Sequence, residues 1–244
     1  MAGVDDPLGP VLAGGQLSIP YEGGHGTMVA GMARCTAPGA RVYVGNHFPY
    51  TGGALEYQLV NDLETLIAEQ HPALINLSAG GYTHRNAPPL SFIEFRDRHP
   101  DVTLVTAAGN DGTDRPFWPA AFEWAIAVGA LGADLQNLAW FSNYSNSSST
   151  IPNWVDVYAL GEGVVNAFAT GVYNYHLPPK RPATQVFDGM ARWSGTSFAA
   201  PLLAGLIVAE MARHPSSPVD AWKAWQTVLG TAADIGGFGP VLLP

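Results

Sequence analysis

Cysteine is almost missing from this chain of 244 residues: Cys35 stands alone. An intrachain disulfide and a thiolate metal site are therefore excluded. Cys35 ends a predicted helix in the stretch MARCTAP, and lone thiols of this kind usually pack inside, so a buried position is expected. Charge is scarce as well, at 13% of residues, and it leans acidic, with a net charge of −9. No basic run offsets that balance, which argues against nucleic acid and anionic membrane surfaces as partners. The longest apolar run, Ala199 to Ala209, is too short to span a bilayer. The opening MAGVDDPLGPVLAGG lacks the basic start and apolar core of a signal peptide. Gly-x-x-x-x-Gly-Lys and Gly-x-Gly-x-x-Gly, which would mark a nucleotide site, are absent, and so is His-Glu-x-x-His. The histidines besides His25 are scattered along the chain, so no metal site is assigned.

What the chain does have is apolar material, 47% of residues, together with 28 glycines and 20 prolines. This composition suits one compact, loop-rich domain. Short apolar runs alternate with helical patterns. Arg41–Asn46, Ala73–Ser78, Val102–Asn110, Ala125–Leu131 and Trp154–Leu160 read as strands. Ala54–Gln70 carries Leu55, Leu59, Leu63 and Ile67 at intervals of four, which predicts a helix with one apolar face. Further helices are predicted over Ser91–His99, from about Ser197 onward, and over Pro218–Ala232. Such alternation implies an α/β fold with a parallel sheet and helices on both faces. Working groups are then expected at the C-terminal ends of the strands. One low-complexity patch, Ser142–Thr150, reads as a surface loop.

Three Gly-flanked segments carry groups able to do chemistry. His25 stands in EGGHGTMVAGMA, ahead of a helix; Asn110 follows a buried strand in TAAGND; Ser197 ends the run Ser194-Gly195-Thr196-Ser197, ahead of another helix. Each has a plain structural explanation: a locally bonded histidine, a left-handed turn asparagine and a helix N-cap. Taken together they offer a base, an amide donor for a developing oxyanion and a hydroxyl nucleophile, the requirements of acyl transfer through an activated serine.

HGTMVAGMA, NLSAGG, AAGNDG and SGTSFAAP resemble, in order, the four motif blocks of the subtilisin-like serine peptidases, the S8 family. The resemblance runs from about His25 to Ala212 and implies a three-layer fold with a mostly parallel central sheet. It implies His25 as general base, Ser197 as nucleophile and Asn110 as oxyanion donor beside the Ser197 backbone N–H. Ser78, Ala79 and Gly80 would line the substrate strand, and Ala107, Ala108 and Gly109 would floor the pocket for the residue before the scissile bond. Small side chains there predict a wide pocket that accepts a large apolar or aromatic residue. The implied partners are protein or peptide substrates. The family often binds structural calcium, but no site matches here residue by residue, and no other cofactor is implied.

One block of the family is absent: the apolar strand ending in Asp-Thr-Gly or Asp-Ser-Gly, whose carboxylate would hold the His25 Nδ1–H. Asp5 and Asp6 are the candidates by position, but only MAGV precedes Asp5, too short for a buried central strand. They are read as a solvated loop pair. Residues 1–244 are thus expected to form a single S8 domain, cut short before the Asp-bearing strand and poorly soluble. The competing account is a degenerate, non-catalytic relative or peptide-binding module; the intact His25 and Ser197 blocks weigh against it. The α/β-hydrolases require Gly-x-Ser-x-Gly with the histidine last, whereas here the histidine comes first. Chymotrypsin-like enzymes are all-β, and the sedolisins use Glu in place of His. The aromatic group Phe117, Trp118, Phe122 and Trp124 is read as core packing. The Pro-rich stretch before Ser197, flanked by Phe168, Tyr173, Tyr175 and Phe187, is read as a long loop bordering the substrate groove.

Overall fold

The computed structural model describes residues 2–3, 11–12, 15, 17–45, 53–175, 183–213 and 220–243. Asp5 and Asp6 lie outside them. In chain order the elements are β1 (Ala2–Gly3), β2 (Ser18–Ile19), α1 (His25–Thr36), β3 (Tyr43–Val44), α2 (Glu56–Gln70), β4 (Ile75–Leu77), α3 (Leu90–Arg98), β5 (Leu104–Ala107), β6 (Ala125–Leu131) and β7 (Val157–Leu160). They continue with β8 (Val164–Asn174), β9 (Thr184–Trp193), α4 (Thr196–Ala212), α5 (Ala221–Leu229), β10 (Ala233–Asp234) and β11 (Pro240–Leu242).

The central sheet has the order β10-β11-β7-β6-β5-β4 and is parallel except for β10 against β11. Strand β6 is buried along all seven residues, as a strand covered on both faces must be. Its side chains alternate between two cores. Ile126, Val128 and Ala130 pack with Ala199, Leu203 and Ile207 of α4 and Trp225 of α5. Ala127 and Leu131 face the opposite side, among Trp118, Trp154 and Tyr158. On that side α2 and α3 cover the β4–β5 end through Leu59, Leu63, Phe92 and Phe95. Three layers result.

Helix α1 lies against α4, and Gly205 marks the crossing: a β-carbon there would strike Thr36 and the Ala33 carbonyl. The Thr36 hydroxyl closes the contact by donating to Leu202 O at 3.0 Å. Met28 and Met32 of α1 meet Phe198 and Val164 in a small core under the helix starts. This crossing fixes the start of α1 beside the start of α4.

Several expectations need revision. Cys35 is exposed in the last turn of α1: it shares the helix face of Met28 and Met32, and its sulfur lies 3.2 Å from the Asn166 amide nitrogen that also meets Met32 Sδ at 3.1 Å. The stretch before Ser197 is largely an antiparallel hairpin, β8 with β9, which β2 extends; residues 176–182 lie outside the described set. The Ser/Asn patch is not simply a surface loop, since Ser142, Asn143, Ser145 and Ser149 are buried. Ahead of Asp5, Ala2–Gly3 do form a strand, but it pairs in parallel with β3, outside the central sheet.

Asp156 precedes β7 and accepts a hydrogen bond from Ala127 N–H at 2.7 Å. Burial pushes its carboxyl up to about 7, against that bond's lowering effect. The folded chain therefore holds this proton more firmly than the unfolded chain, so stability falls as pH rises from about 4 to about 7. Asp156→Asn keeps an acceptor for Ala127 and removes the charge. It is expected to raise stability at pH 8 by about 2 kcal/mol, a discounted figure because Asp156 keeps some solvent contact, and to give no gain at pH 4. Urea unfolding at the two pH values measures the difference.

Candidate active site

The site gathers at the C-terminal ends of β4 and β5 and the N-terminal ends of α1 and α4. His25 is the first residue of α1. Gly24 before it takes φ 85°, a left-handed conformation that glycine adopts without strain, and the Phe168 ring occupies the space a β-carbon would need. The hairpin aromatics thus seat the loop that carries His25. The imidazole itself stands against Trp193 and Phe198, each ring centroid 5.7 Å away.

Ser197 is the second residue of α4 and does not cap it: the N-cap position is Gly195, which has no side chain to offer. Pro201 explains the local arrangement. Proline has no N–H, so the Ser197 carbonyl four residues earlier lacks its usual helical donor. Ser78 supplies one instead, donating from Oγ to Ser197 O at 2.8 Å. In return Ser197 Oγ donates to Ser78 O at 3.3 Å. This reciprocal pair ties the end of β4 to the start of α4.

Asn110 is not a left-handed turn residue; Gly109 takes that role with φ 101°. The Asn110 carboxamide is oriented by Thr196, which is fully buried. Thr196 N–H and Oγ1–H both donate to Asn110 Oδ1, at 2.8 and 3.0 Å. Thr196 Oγ1 in turn accepts from Gly109 N–H at 3.1 Å. With Oδ1 engaged, Nδ2 turns toward Gly195: a β-carbon there would lie 3.6 Å from Asn110 Nδ2 and 3.7 Å from Ser197 N. Two donors converge on one side of the helix start, where the helix dipole also favours negative charge.

His25, Asn110 and Ser197 line one cleft of about 250 Å³, together with Glu22, Trp193, Ser194, Gly195 and Phe198. Ser78 joins them through its bonds to Ser197. Ala107, Ala108 and Gly109 are buried behind Asn110. Gly80 and Gly109 do not frame an open pocket: the Phe117 ring lies against both, and a β-carbon on Gly109 would come within 3.0 Å of it. The small residues make room for Phe117, which sequence reasoning placed in the core with Trp118, Phe122 and Trp124. All four pack against the cores as expected, Phe117 and Phe122 beside Trp118, and Trp124 in the neighbouring cluster, with Trp118 and Phe122 at 4.5 Å and Phe122 and Trp124 stacked at 5.2 Å.

Sequence reasoning missed Thr196, Asn143 and Glu22. Asn143 threads under the Asn110 loop: its Oδ1 accepts from the N–H groups of Asp111 and Thr113, and its Nδ2 donates to Ala108 O and Tyr82 Oη. Burial pushes the Tyr82 phenol up to about 12. For Thr196 a signal was available, the second hydroxyl of Gly-Thr-Ser. Thr196→Val removes Oγ1 and leaves the carboxamide held by a single bond. An about tenfold loss in kcat for peptide hydrolysis is expected, with KM little changed, because the donor acts on the transition state. Among the described residues no group of three or more His, Cys, Asp or Glu side chains converges, so no calcium site is derived.

The model of the subtilase family of S8 peptidases matches residues 13–240. The chain belongs to the subtilase family. It is 27% identical over 212 residues to subtilisin NAT from Bacillus subtilis subsp. natto, covering 81% of this subtilase and 48% of that protein. To thermitase from Thermoactinomyces vulgaris it is 30% identical over 213 residues, covering 82% and 66%. This subtilase thus spans about half the length of the subtilisins it matches. Among solved structures, a lanthipeptide protease superposes with a TM-score of 0.70 at 20% identity, over 91% of this chain and 75% of that one. A cold-adapted subtilisin-like serine proteinase gives 0.70 at 17%, over 99% and 87%. At these identities the structural likeness speaks for the fold.

Proposed function

We propose that this subtilase is a serine endopeptidase acting through an acyl-enzyme. Ser197 Oγ attacks the substrate carbonyl while His25 takes its proton and later returns it to the leaving amine. Asn110 Nδ2 and the Ser197 N–H receive the oxyanion. The observation that carries the reading is the cleft shared by His25, Asn110 and Ser197. The bond from Ser197 Oγ to Ser78 O is long at 3.3 Å, so the hydroxyl gives up little when it turns to the imidazole.

Phe117 narrows the proposed substrate class. With its ring against Gly80 and Gly109, the residue before the scissile bond has space for a small side chain such as alanine or glycine, and not for an aromatic one. The test of the function is a fluorophosphonate probe, which phosphonylates an activated serine. Labelling of the parent chain that disappears in Ser197→Ala supports a serine peptidase. A folded parent chain that takes no label would count against it.

A further inference from the structure

Glu22 lines the same cleft as His25, Asn110 and Ser197. It stands in the turn leading into α1, closed by a bond from His25 N–H to Glu22 O at 3.3 Å. Among the described residues neither a cation nor a hydrogen-bond donor meets its carboxylate, which is exposed on the cleft side; the surrounding protein removes part of its water and raises its pKa. A carboxylate that held the His25 ring would have its pKa drawn down by that bond. The carboxylate is exposed at the cleft wall and, among the described residues, without a cation of its own, so a cation arriving with the substrate can pair with it there. The flanking groups suit a cation as well. Tyr173 lies close enough to feel the Glu22 charge and anchors to the turn by donating to Tyr21 O at 3.2 Å. The Trp193 indole forms another wall of the cleft. The net charge of −9 favours approach of basic peptides.

We propose that Glu22 selects peptides with a lysine or arginine close to the scissile bond, at a position other than the one beside Phe117, and pairs with that side chain in the cleft. The proposal rests on the peptidase reading for its place in the reaction, but its test does not need turnover. Octapeptides in which Lys, Ala or Glu scans each position are titrated calorimetrically into the full chain carrying Ser197→Ala. At one position Lys is expected to bind about tenfold to a hundredfold more tightly than Ala, the range of a charge-assisted pair, with Glu weakest. Adding Glu22→Gln should bring the Lys-to-Ala ratio to within about twofold, while Glu22→Asp retains part of it. Equal binding of Lys and Ala at every position overturns the proposal, and so does a preference that survives Glu22→Gln. Kinetics on the chain with Ser197 intact separate a different role: if Glu22→Gln lowers kcat/KM for Lys and Ala peptides by the same factor, Glu22 acts through His25 and the selectivity claim falls. Fluorophosphonate labelling reads the peptidase function independently of all these outcomes.

Discussion

Replacing His25 or Ser197 by alanine is expected to cost as much singly as together. A nucleophile without its base and a base without its nucleophile are equally idle, so the two losses do not add. In subtilisin, a relative of this chain, losing either group costs about 2 × 10⁶ in kcat, and a factor of this order is the expectation here if the parent chain turns over at a full rate. On the proposed mechanism the residual rate is expected to come from Asn110 and the backbone donors, which would still receive the oxyanion when the hydroxyl or the imidazole is gone. Single-turnover and steady-state assays on a chromogenic peptide, with His25→Ala, Ser197→Ala and the double variant side by side, measure it. Multiplying losses would mean that the two groups do not act on one reacting atom, and the acyl-enzyme scheme would fall. The His25 ring is held between Trp193 and Phe198 and has little freedom to find another role when Ser197 is absent.

The parts of this molecule that were legible in its sequence are those where burial alone sets the pattern. Strand β6 is an unbroken apolar run, and its predicted limits, Ala125–Leu131, coincide with the structure. Leu59 and Leu63 of α2 are buried as their spacing predicts, while Leu55 is exposed just ahead of the helix. The groups of the candidate site were legible for another reason: each is flanked by glycines and small residues that let backbone approach backbone. What stayed hidden depends on partners distant in sequence. Strand β9 alternates exposed and covered residues from Val186 to Trp193, but in β8 the alternation breaks around a register shift between Ala167 and Thr170, which composition does not announce. Asn143 looked like one more polar residue in a Ser/Asn tract. It is buried because the turn at Asp111–Thr113 presents two N–H groups that need an acceptor, and composition carries no record of that demand. Glu22 reads as an ordinary turn residue until the fold sets it in the cleft.

Phe117→Gly is expected to invert the preference for the residue before the scissile bond. The parent should favour Ala and discriminate against Phe at that position. The variant vacates the space beside Gly80 and Gly109, and the Phe-to-Ala ratio of kcat/KM should rise by about a hundredfold or more, since a single methylene in a fitted pocket already changes such ratios tenfold or beyond. The plug is well held. Phe117 meets the Tyr82 ring edge-on at 5.1 Å, and Tyr82 donates to Asp111 at 2.7 Å and lies under the Arg115 guanidinium at 4.6 Å. Arg115 in turn bonds Asn86 and Thr83 O. A ring packed between two glycines and a tyrosine that is itself held by these bonds has little room to swing aside, so selectivity should come from sterics and persist at high salt. A peptide panel varied only at that residue reads the ratio in both proteins. A parent that already cleaves after Phe as readily as after Ala would show that the substrate passes elsewhere. A variant that folds but leaves the ratio unmoved would place the pocket away from Gly109.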